Sequence, residues 1–140
     1  MSQKLSYFRL SLLSYLRDSH PYLATDAAFI ATRGDTAAEA YSAAVKNGQS
    51  HDQAGEIANE VLYAGLLFSP YRTIVRILWN EFEKDVTHVL AERVALELLP
   101  KLNVVFDKYK LTDDFDTTEE YDQFYTELTG AVQIFLEDGI

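Results

Sequence analysis

Hydrophobic side chains recur along this chain with the period of an α-helix. One such stripe lies in residues 71–82, where the apolar positions are Tyr71, Ile74, Val75, Leu78 and Phe82. Intervals of three, four and seven place these residues on one side of a helix, the side that becomes buried. Similar stripes with helical punctuation continue through most of the chain. We therefore predict an all-α fold, with five to seven helices around one core.

The first stripe has a feature that the others lack. Tyr7 and Leu10 fall on the face opposite the stripe, which stops before His20-Pro21 and consists of Leu5, Phe8, Leu12, Tyr15 and Leu16. A solvent-facing side is usually polar. The two-sided character predicts that the first helix packs between neighbours.

Capping residues mark the boundaries of the next helices. Asn47-Gly48 is a common left-handed helix stop. Ser, Thr and Asp side chains satisfy the first backbone N–H groups of a helix, and proline is tolerated in its first turn. The predicted starts are Thr25 or Asp26 for the second helix, Ser50 with Gln53 as a capping box for the third, and Ser69 followed by Pro70 for the fourth.

The carboxyl-terminal half is less regular. Asp85 would fall within the apolar stripe if the fourth helix continued, so we predict a break near residues 84–87. Pro100 predicts a kink or a helix junction. Residues 101–110 could form either helix or strand. The final helix is expected to begin with a capping box of Thr117 and Glu120 and to bury the side from Tyr121 to Phe135.

Length and composition fit one ordinary domain over residues 1–140, since 48% of the residues are hydrophobic. The absence of cysteine rules out disulfides and thiolate zinc sites. No apolar run approaches the roughly 18 to 20 residues of a membrane span, so we expect no membrane contact. The amino-terminal run lacks a signal-peptide pattern, and we expect a cytoplasmic protein.

The net charge of −10 is unevenly distributed. Residues 111–140 hold nine acids and no lysine or arginine, and the acids are Asp113, Asp114, Asp116, Glu119, Glu120, Asp122, Glu127, Glu137 and Asp138. Binding to duplex nucleic acid requires positive charge, so we do not expect it. A basic protein partner is the hypothesis that this charge favours.

Trp79 is the one tryptophan of the chain, and it lies beside the stripe of the fourth helix. It is one residue, about 100°, from Leu78. We predict an indole at the edge of the core, with Arg76 placed for a cation–π contact. Tryptophan and arginine are also enriched in interface hot spots, which makes Arg72, Arg76 and Trp79 candidate partner contacts.

Chemistry-bearing patterns are scarce. Glu81, Asp85, His88 and Glu92 would align as metal ligands on a continuous helix, but the predicted break interrupts that helix, and we predict no metal site. Sequence motifs for nucleotide binding and for a hydrolase nucleophile are absent. We therefore expect no cofactor.

Three blocks of the sequence are similar to a known family. They are LSYFRLSLLSYLRDSHP, FSPYRTIVRILWNEF and LLPKLNVVFDKYKLTDDFDTTEEYDQFYTELTGAVQIFLE. Over essentially its full length the chain resembles a small family of bacterial proteins from gut and oral anaerobes, catalogued as a domain of unknown function. The resemblance implies a multihelical fold, an intracellular setting and genes that are often near conjugative elements. It implies no catalytic residues.

These observations favour a non-enzymatic helical module that binds a protein partner, as a possible accessory of a mobile element. The candidate contacts are Arg72, Arg76, Trp79, Asp113, Asp114, Asp116, Glu119 and Glu120. The alternative is a small hydrolase or metal-dependent enzyme whose site joins distant residues such as Glu81, His88 and Asp113. The sequence leaves the oligomeric state and the identity of the partner open.

Overall fold

The computed structural model describes the backbone of residues 2–138 and the side chains of residues 7–138. Within that part of the chain all regular structure is helical, which confirms the all-α prediction. Seven α-helices are described: α1 (Ser2–Ser19), α2 (Ala27–Lys46), α3 (His51–Leu62), α4 (Pro70–Glu81), α5 (Ala91–Leu98), α6 (Asn103–Phe106) and α7 (Tyr121–Glu137). Short 3-10 turns occupy His88–Leu90, Leu99–Leu102 and Phe115–Thr117.

The helices form two compact units, one ending at Leu67 and the other beginning at Phe68. Each unit has its own cluster of buried hydrophobic residues. That residues 1–140 behave as a single domain stays a prediction.

The first unit contains α1, α2 and α3. The inner face of α1 is buried through Phe8, Leu12 and Leu16, with at most 2% of each residue exposed. These residues pack with alanines of α2 and with residues of α3. The side chain of Leu5, which the sequence assigned to the same stripe, lies outside the described residues.

A close approach of α1 to α2 occurs at Gly34. A Cβ atom at this position would lie 2.7 Å from Cγ of Arg9 and 3.2 Å from its Cα. The guanidinium group of Arg9 forms a bidentate ion pair with Asp35, next to Gly34 in the chain. Nε and Nη2 of Arg9 lie 2.9 and 2.8 Å from the two carboxylate oxygens. The missing side chain of Gly34 therefore sets how near the two helices can lie.

The carboxyl end of α3 is capped by a residue of another helix. Arg33 of α2 donates hydrogen bonds from Nη1 to the carbonyl oxygens of Val61, Leu62 and Ala64, at 3.3, 3.1 and 2.8 Å. The last carbonyl groups of a helix have no partner within the helix, and a cation there also complements the helix dipole. Arg33 thus links α2 to the end of α3.

Two side chains meet the Leu66 carbonyl oxygen at the end of the first unit. The Tyr15 hydroxyl donates to it at 2.7 Å, and Nε2 of the buried His20 lies 2.8 Å from it. Because a carbonyl oxygen only accepts, His20 must carry its proton on Nε2. A neutral ring then accepts at Nδ1 from the Tyr22 hydroxyl, 3.0 Å away.

Most of the predicted helix boundaries are confirmed. The Asp26 side chain accepts from Phe29 N–H, Ser50 and Gln53 form both bonds of a capping box, and Ser69 accepts from Arg72 N–H. Gly48 has a φ of +90°, the left-handed geometry expected of the stop after α2.

The predicted break after α4 is also confirmed. Helix α4 ends at Glu81, and the N–H groups of Asp85 and Val86 both donate to the Phe82 carbonyl oxygen in a turn. Residues 101–110 contain helical turns and no strand, because the 3-10 turn over Pro100 leads directly into α6.

The capping box predicted at Thr117 and Glu120 is wrong. The hydroxyl of Thr117 donates backward to the Asp114 carbonyl oxygen at 2.7 Å, within a 3-10 turn. Helix α7 begins at Tyr121, and no side chain caps its first N–H groups. Burial of Phe115 accounts for the difference, since the 3-10 turn places this ring within the hydrophobic cluster of the second unit.

The Gly34 approach can be tested with paired glycine substitutions. We expect Gly34→Ala to lower the free energy of unfolding by about 1–3 kcal/mol, because the new methyl group overlaps Arg9. Gly130→Ala, also inside a helix but with no atom within 4 Å of its new Cβ, is expected to raise it by up to about 1 kcal/mol. Urea denaturation measures both. Equal effects of the two substitutions would contradict the packing role of Gly34.

Single-domain behaviour can be tested because the one tryptophan lies in the second unit. Tryptophan fluorescence follows unfolding of that unit, whereas far-ultraviolet circular dichroism follows helices of both. We expect the two urea transitions to coincide, as they do when one cooperative domain unfolds. A dichroism curve with a second step that the fluorescence does not report would show that the units unfold separately.

Candidate partner-binding surface

Trp79 lies near the end of α4 and is half-buried against the hydrophobic cluster of the second unit. Its indole stacks on the exposed His88 ring, with centroids 4.5 Å apart and an interplanar angle of 4°. Its Nε1–H points to the His88 carbonyl oxygen at 3.4 Å. The core-edge position agrees with the sequence-based expectation, but the stacking on His88 was not foreseen.

The cation above Trp79 is Arg72, and the expectation that it would be Arg76 is wrong. The Arg72 Cζ atom lies 5.3 Å from the centroid of the Trp79 ring. At about 100° per residue, Arg72 is offset from Trp79 by only about 20° around the helix, whereas Arg76 is offset by about 60°. The better-aligned arginine therefore lies over the ring although it is two turns away.

Arg76 instead joins α4 to α7. Its Nη1 donates to the Tyr121 hydroxyl at 3.1 Å, and one turn later Asn80 donates to the Tyr125 hydroxyl at 3.5 Å. These polar contacts run beside the buried faces of both helices. Arg76 itself remains exposed.

Residues 113–120, which we call the acidic segment, are held in place by Phe115. Only 1% of Phe115 is exposed, and its ring packs edge-on against Phe68, Phe124 and Tyr109 at centroid distances of 5.2, 5.0 and 5.9 Å. A buried aromatic ring contributes on the order of 2–3 kcal/mol relative to an exposed one. The acidic segment is thus an anchored turn with a defined position.

The acids of this segment face outward. Asp114, Asp116, Glu119 and Glu120 are exposed, and Asp113 is half-buried. The Thr112 hydroxyl donates to Asp114 at 2.7 Å, which stabilises the turn locally.

Arg76 reaches the end of the acidic segment where α7 begins. Tyr121, which accepts from Arg76, directly follows Glu120. In the described part of the chain, however, no ion pair joins Arg72 or Arg76 to an acid, since the ion pairs there are Arg9–Asp35 and Lys108–Glu127. In the described residues, Arg72 and Arg76 are therefore not neutralised by a direct ion pair with Asp116, Glu119 or Glu120.

Glu127 is an acid of the carboxyl-terminal third that bonds to two side chains of another segment of the fold. It accepts a short hydrogen bond from the Tyr109 hydroxyl and forms an ion pair with Lys108 at 3.1 Å. These two contacts lower the pKa of Glu127, and the carboxylate raises the pKa of Tyr109 to about 12. Glu127 ties α7 to the segment after α6.

A cleft of about 630 Å³ lies at the ends of α4 and α7. Its lining residues are Glu81, Phe82, Asp85, Gln133, Leu136 and Glu137. Glu81 and Asp85 are thus near each other, but His88 stacks on Trp79, and Glu92 lies beside the Tyr71 hydroxyl at 3.5 Å. Among residues 7–138 no three histidine or acidic side chains are grouped so that they could hold a metal ion. No described helix is long and apolar enough to cross a membrane.

Comparisons with known proteins agree with the sequence resemblance. A family model described as "Domain of unknown function (DUF1896)" matches residues 1–139. A crystal structure of protein PG0816 from Porphyromonas gingivalis matches with a TM-score of 0.93 and 45% identity, covering 98% of this chain and 93% of that one. A search of curated proteins found no match.

The Glu127 contacts predict a pH-dependent contribution to stability. Because folding lowers the pKa of Glu127, its contribution is present above the ordinary carboxyl pKa and is lost as the pH falls through the lowered value. We expect Glu127→Gln to be less stable than the wild type at neutral pH, with a difference that disappears in acid. Thermal unfolding over a pH series measures this. Glu119→Gln, which removes an exposed acid, is the control and should show no such dependence.

Proposed function

We propose that this chain, which belongs to the family described as domain of unknown function DUF1896, is a non-enzymatic helical module that binds a basic protein partner. The observation that carries the proposal is the acidic segment, a run of exposed carboxylates anchored by the buried Phe115. The partner would contribute lysines or arginines to this surface.

Anchoring matters for the strength of such binding. A disordered acidic tail loses conformational freedom when it binds, whereas a turn that is already ordered loses little. The exposed acids Asp114, Asp116, Glu119 and Glu120 also create a negative field around this segment. Such a field accelerates encounter with a basic partner and is screened over about 8 Å in physiological salt.

The arginine–tryptophan cluster, formed by Arg72, Arg76 and Trp79, supplies the second part of the proposed interface. An indole whose ring is half-buried keeps its position and still offers contact area. Arg76 adds positive charge close to the end of the acidic segment, and Arg72 lies over the indole ring. A partner with basic residues alone would be repelled at this edge, so the arginines favour partners that present an acidic or neutral group there.

The enzyme alternative has less support. It would join Glu81, His88 and Asp113, but Glu81 lines the cleft while His88 stacks on Trp79. Within the described residues no hydrogen bond or ion pair joins Glu81 to His88. A role as an accessory of a mobile element rests on the family resemblance alone.

The proposal can be tested by affinity capture from native lysate at low and high salt. The bait variant is Asp116→Asn, Glu119→Gln and Glu120→Gln, three exposed acids for which the structure gives no side-chain hydrogen bond. We expect captured protein to be lost with this variant at low salt, and to be lost from the wild type at high salt. Mass spectrometry identifies the captured protein, and its basic character is part of the expectation.

A matched control keeps the change in net charge the same. Glu39→Gln, Glu56→Gln and Glu60→Gln also remove three exposed acids, but from the first unit. This control should retain the partner. A partner that binds both triple variants and the wild type equally at both salt concentrations would rule out the acidic segment as the docking surface.

A further inference from the structure

Helices α4 and α7 run parallel, so their carboxyl ends lie at the same end of the second unit. Arg76 of α4 donates to Tyr121 of α7, and one turn later Asn80 donates to Tyr125. Helix α4 ends one residue after Asn80, whereas α7 continues for about three turns beyond Tyr125. The end of α7 therefore projects past α4. The cleft of about 630 Å³ lies between this projecting end and the turn that follows α4.

The apolar residues that line this cleft are more deeply buried than the polar ones. Phe82 is 8% exposed and belongs to the hydrophobic cluster of the second unit, and the half-buried Leu136 packs against the same cluster. Exposed carboxylates come from both sides, Glu81 and Asp85 from the α4 side and Glu137 from α7. The cleft thus has an apolar base and acidic walls.

The polar side chains of the cleft mainly offer hydrogen-bond acceptors. A carboxylate only accepts. The fourth polar residue, Gln133, donates from Nε2 to the Glu137 carboxylate at 3.2 Å, so its amide oxygen remains as a further acceptor. In the described residues no lysine or arginine forms an ion pair with an acid of the cleft. A complementary ligand therefore donates hydrogen bonds and carries positive charge.

The ends of the two helices add to the negative potential of the cleft. The carboxyl end of a helix carries a partial negative charge, so a cation is favourable there and an acid is unfavourable. Glu81 is the last residue of α4 and Glu137 is the last residue of α7, and neither helix has a basic residue in its last turn. Conflicts of this kind with a local rule are typical of functional sites. A bound cation would offset both.

A lysine side chain fits this lining better than a metal ion or an arginine. In the described residues the acids are not grouped closely enough to hold a metal ion. The planar fork of arginine matches a single carboxylate, whereas the lysine ammonium donates in several directions from a flexible apolar stem. We propose that the cleft binds a lysine side chain of the basic partner, with its stem on Phe82 and Leu136 and its ammonium between the acids.

This inference rests on the proposed function, since it adds a second contact for the same partner. The acidic segment precedes α7, whereas the cleft lies at the other end of this helix of 17 residues, about 25 Å away. A partner that reaches both surfaces binds more strongly than through either one. Because the two surfaces share no residue, each can be removed separately.

The first experiment follows backbone amide signals of the full chain by NMR during titration with N-acetyl-lysine methylamide. A single side chain makes few contacts, so binding is expected in the millimolar range. The signals of Phe82, Asp85, Gln133 and Leu136 should shift and approach saturation. N-acetyl-norleucine methylamide, which has the apolar stem without the ammonium, should shift them much less. Equal shifts with both compounds, or no shift with the lysine compound, would overturn the proposal.

Two matched substitutions separate the cleft from the overall negative charge. Glu81→Gln removes an acid of the cleft and should raise the dissociation constant of the lysine compound about threefold. Glu83→Gln removes an exposed acid that does not line the cleft, and should leave it unchanged. Equal weakening by the two would contradict a specific site. Because Glu81 opposes the α4 dipole, Glu81→Gln should not lower the thermal unfolding midpoint, and a lower midpoint would show that the fold already uses this carboxylate.

The second experiment repeats the affinity capture with a bait that carries Glu81→Gln and Asp85→Asn. Its control carries Glu83→Gln and Glu97→Gln, two exposed acids outside the cleft. We expect less of the basic partner on the cleft variant and an unchanged amount on the control. A partner reduced by the triple variant of the acidic segment but not by the cleft variant would overturn the inference and leave the proposed function intact. The reverse result would support the cleft and rule out the acidic segment.

Discussion

Burial of Phe115 is the interaction on which the second unit depends. Its ring contacts Phe68 at the start of the unit, Tyr109 after α6 and Phe124 in α7. Segments that are distant in the chain therefore meet at one side chain. Edge-to-face rings are favourable beyond the area they bury. The same contact determines where the acidic segment lies, so the packing of an apolar ring positions the charges that surround it.

The charges of the second unit divide into those bonded within the fold and those left exposed. Glu127 is bonded to Lys108 and Tyr109, and its contacts shift the pKa of both Glu127 and Tyr109. Glu119 and Glu120 directly precede Tyr121, whose hydroxyl accepts a hydrogen bond from Arg76. In the described structure neither glutamate forms an ion pair with Arg76. Surface ion pairs contribute little to stability, so leaving these groups unpaired costs the fold little and keeps them available for a partner.

Local features of the sequence determined most of the helical architecture. The caps at Asp26, Ser50 and Ser69 act on N–H groups two or three residues away, and the break after Glu81 follows from a carboxylate that would interrupt the stripe. Such signals are short-ranged, so they can be recognised without knowledge of neighbouring helices. The core-edge position of Trp79 follows from helix periodicity in the same way. The two-sided pattern of α1 was also recognised, but the outer-face residues Tyr7 and Leu10 are exposed, so packing of this helix between neighbours stays a prediction.

Tertiary structure alone decided the features that involve residues far apart in the chain. Arg33 caps α3 from α2, and Gly34 sets the approach of α1, although neither role has a local signature. Helix α7 begins at Tyr121 and not at the expected cap, because Thr117 belongs to the 3-10 turn that buries Phe115, where its hydroxyl donates to the Asp114 carbonyl oxygen. The turn after α4 reverses the chain direction, and this reversal places the His88 ring against Trp79. Helical periodicity specifies which face of each helix is apolar, but only packing between helices specifies which side chains meet.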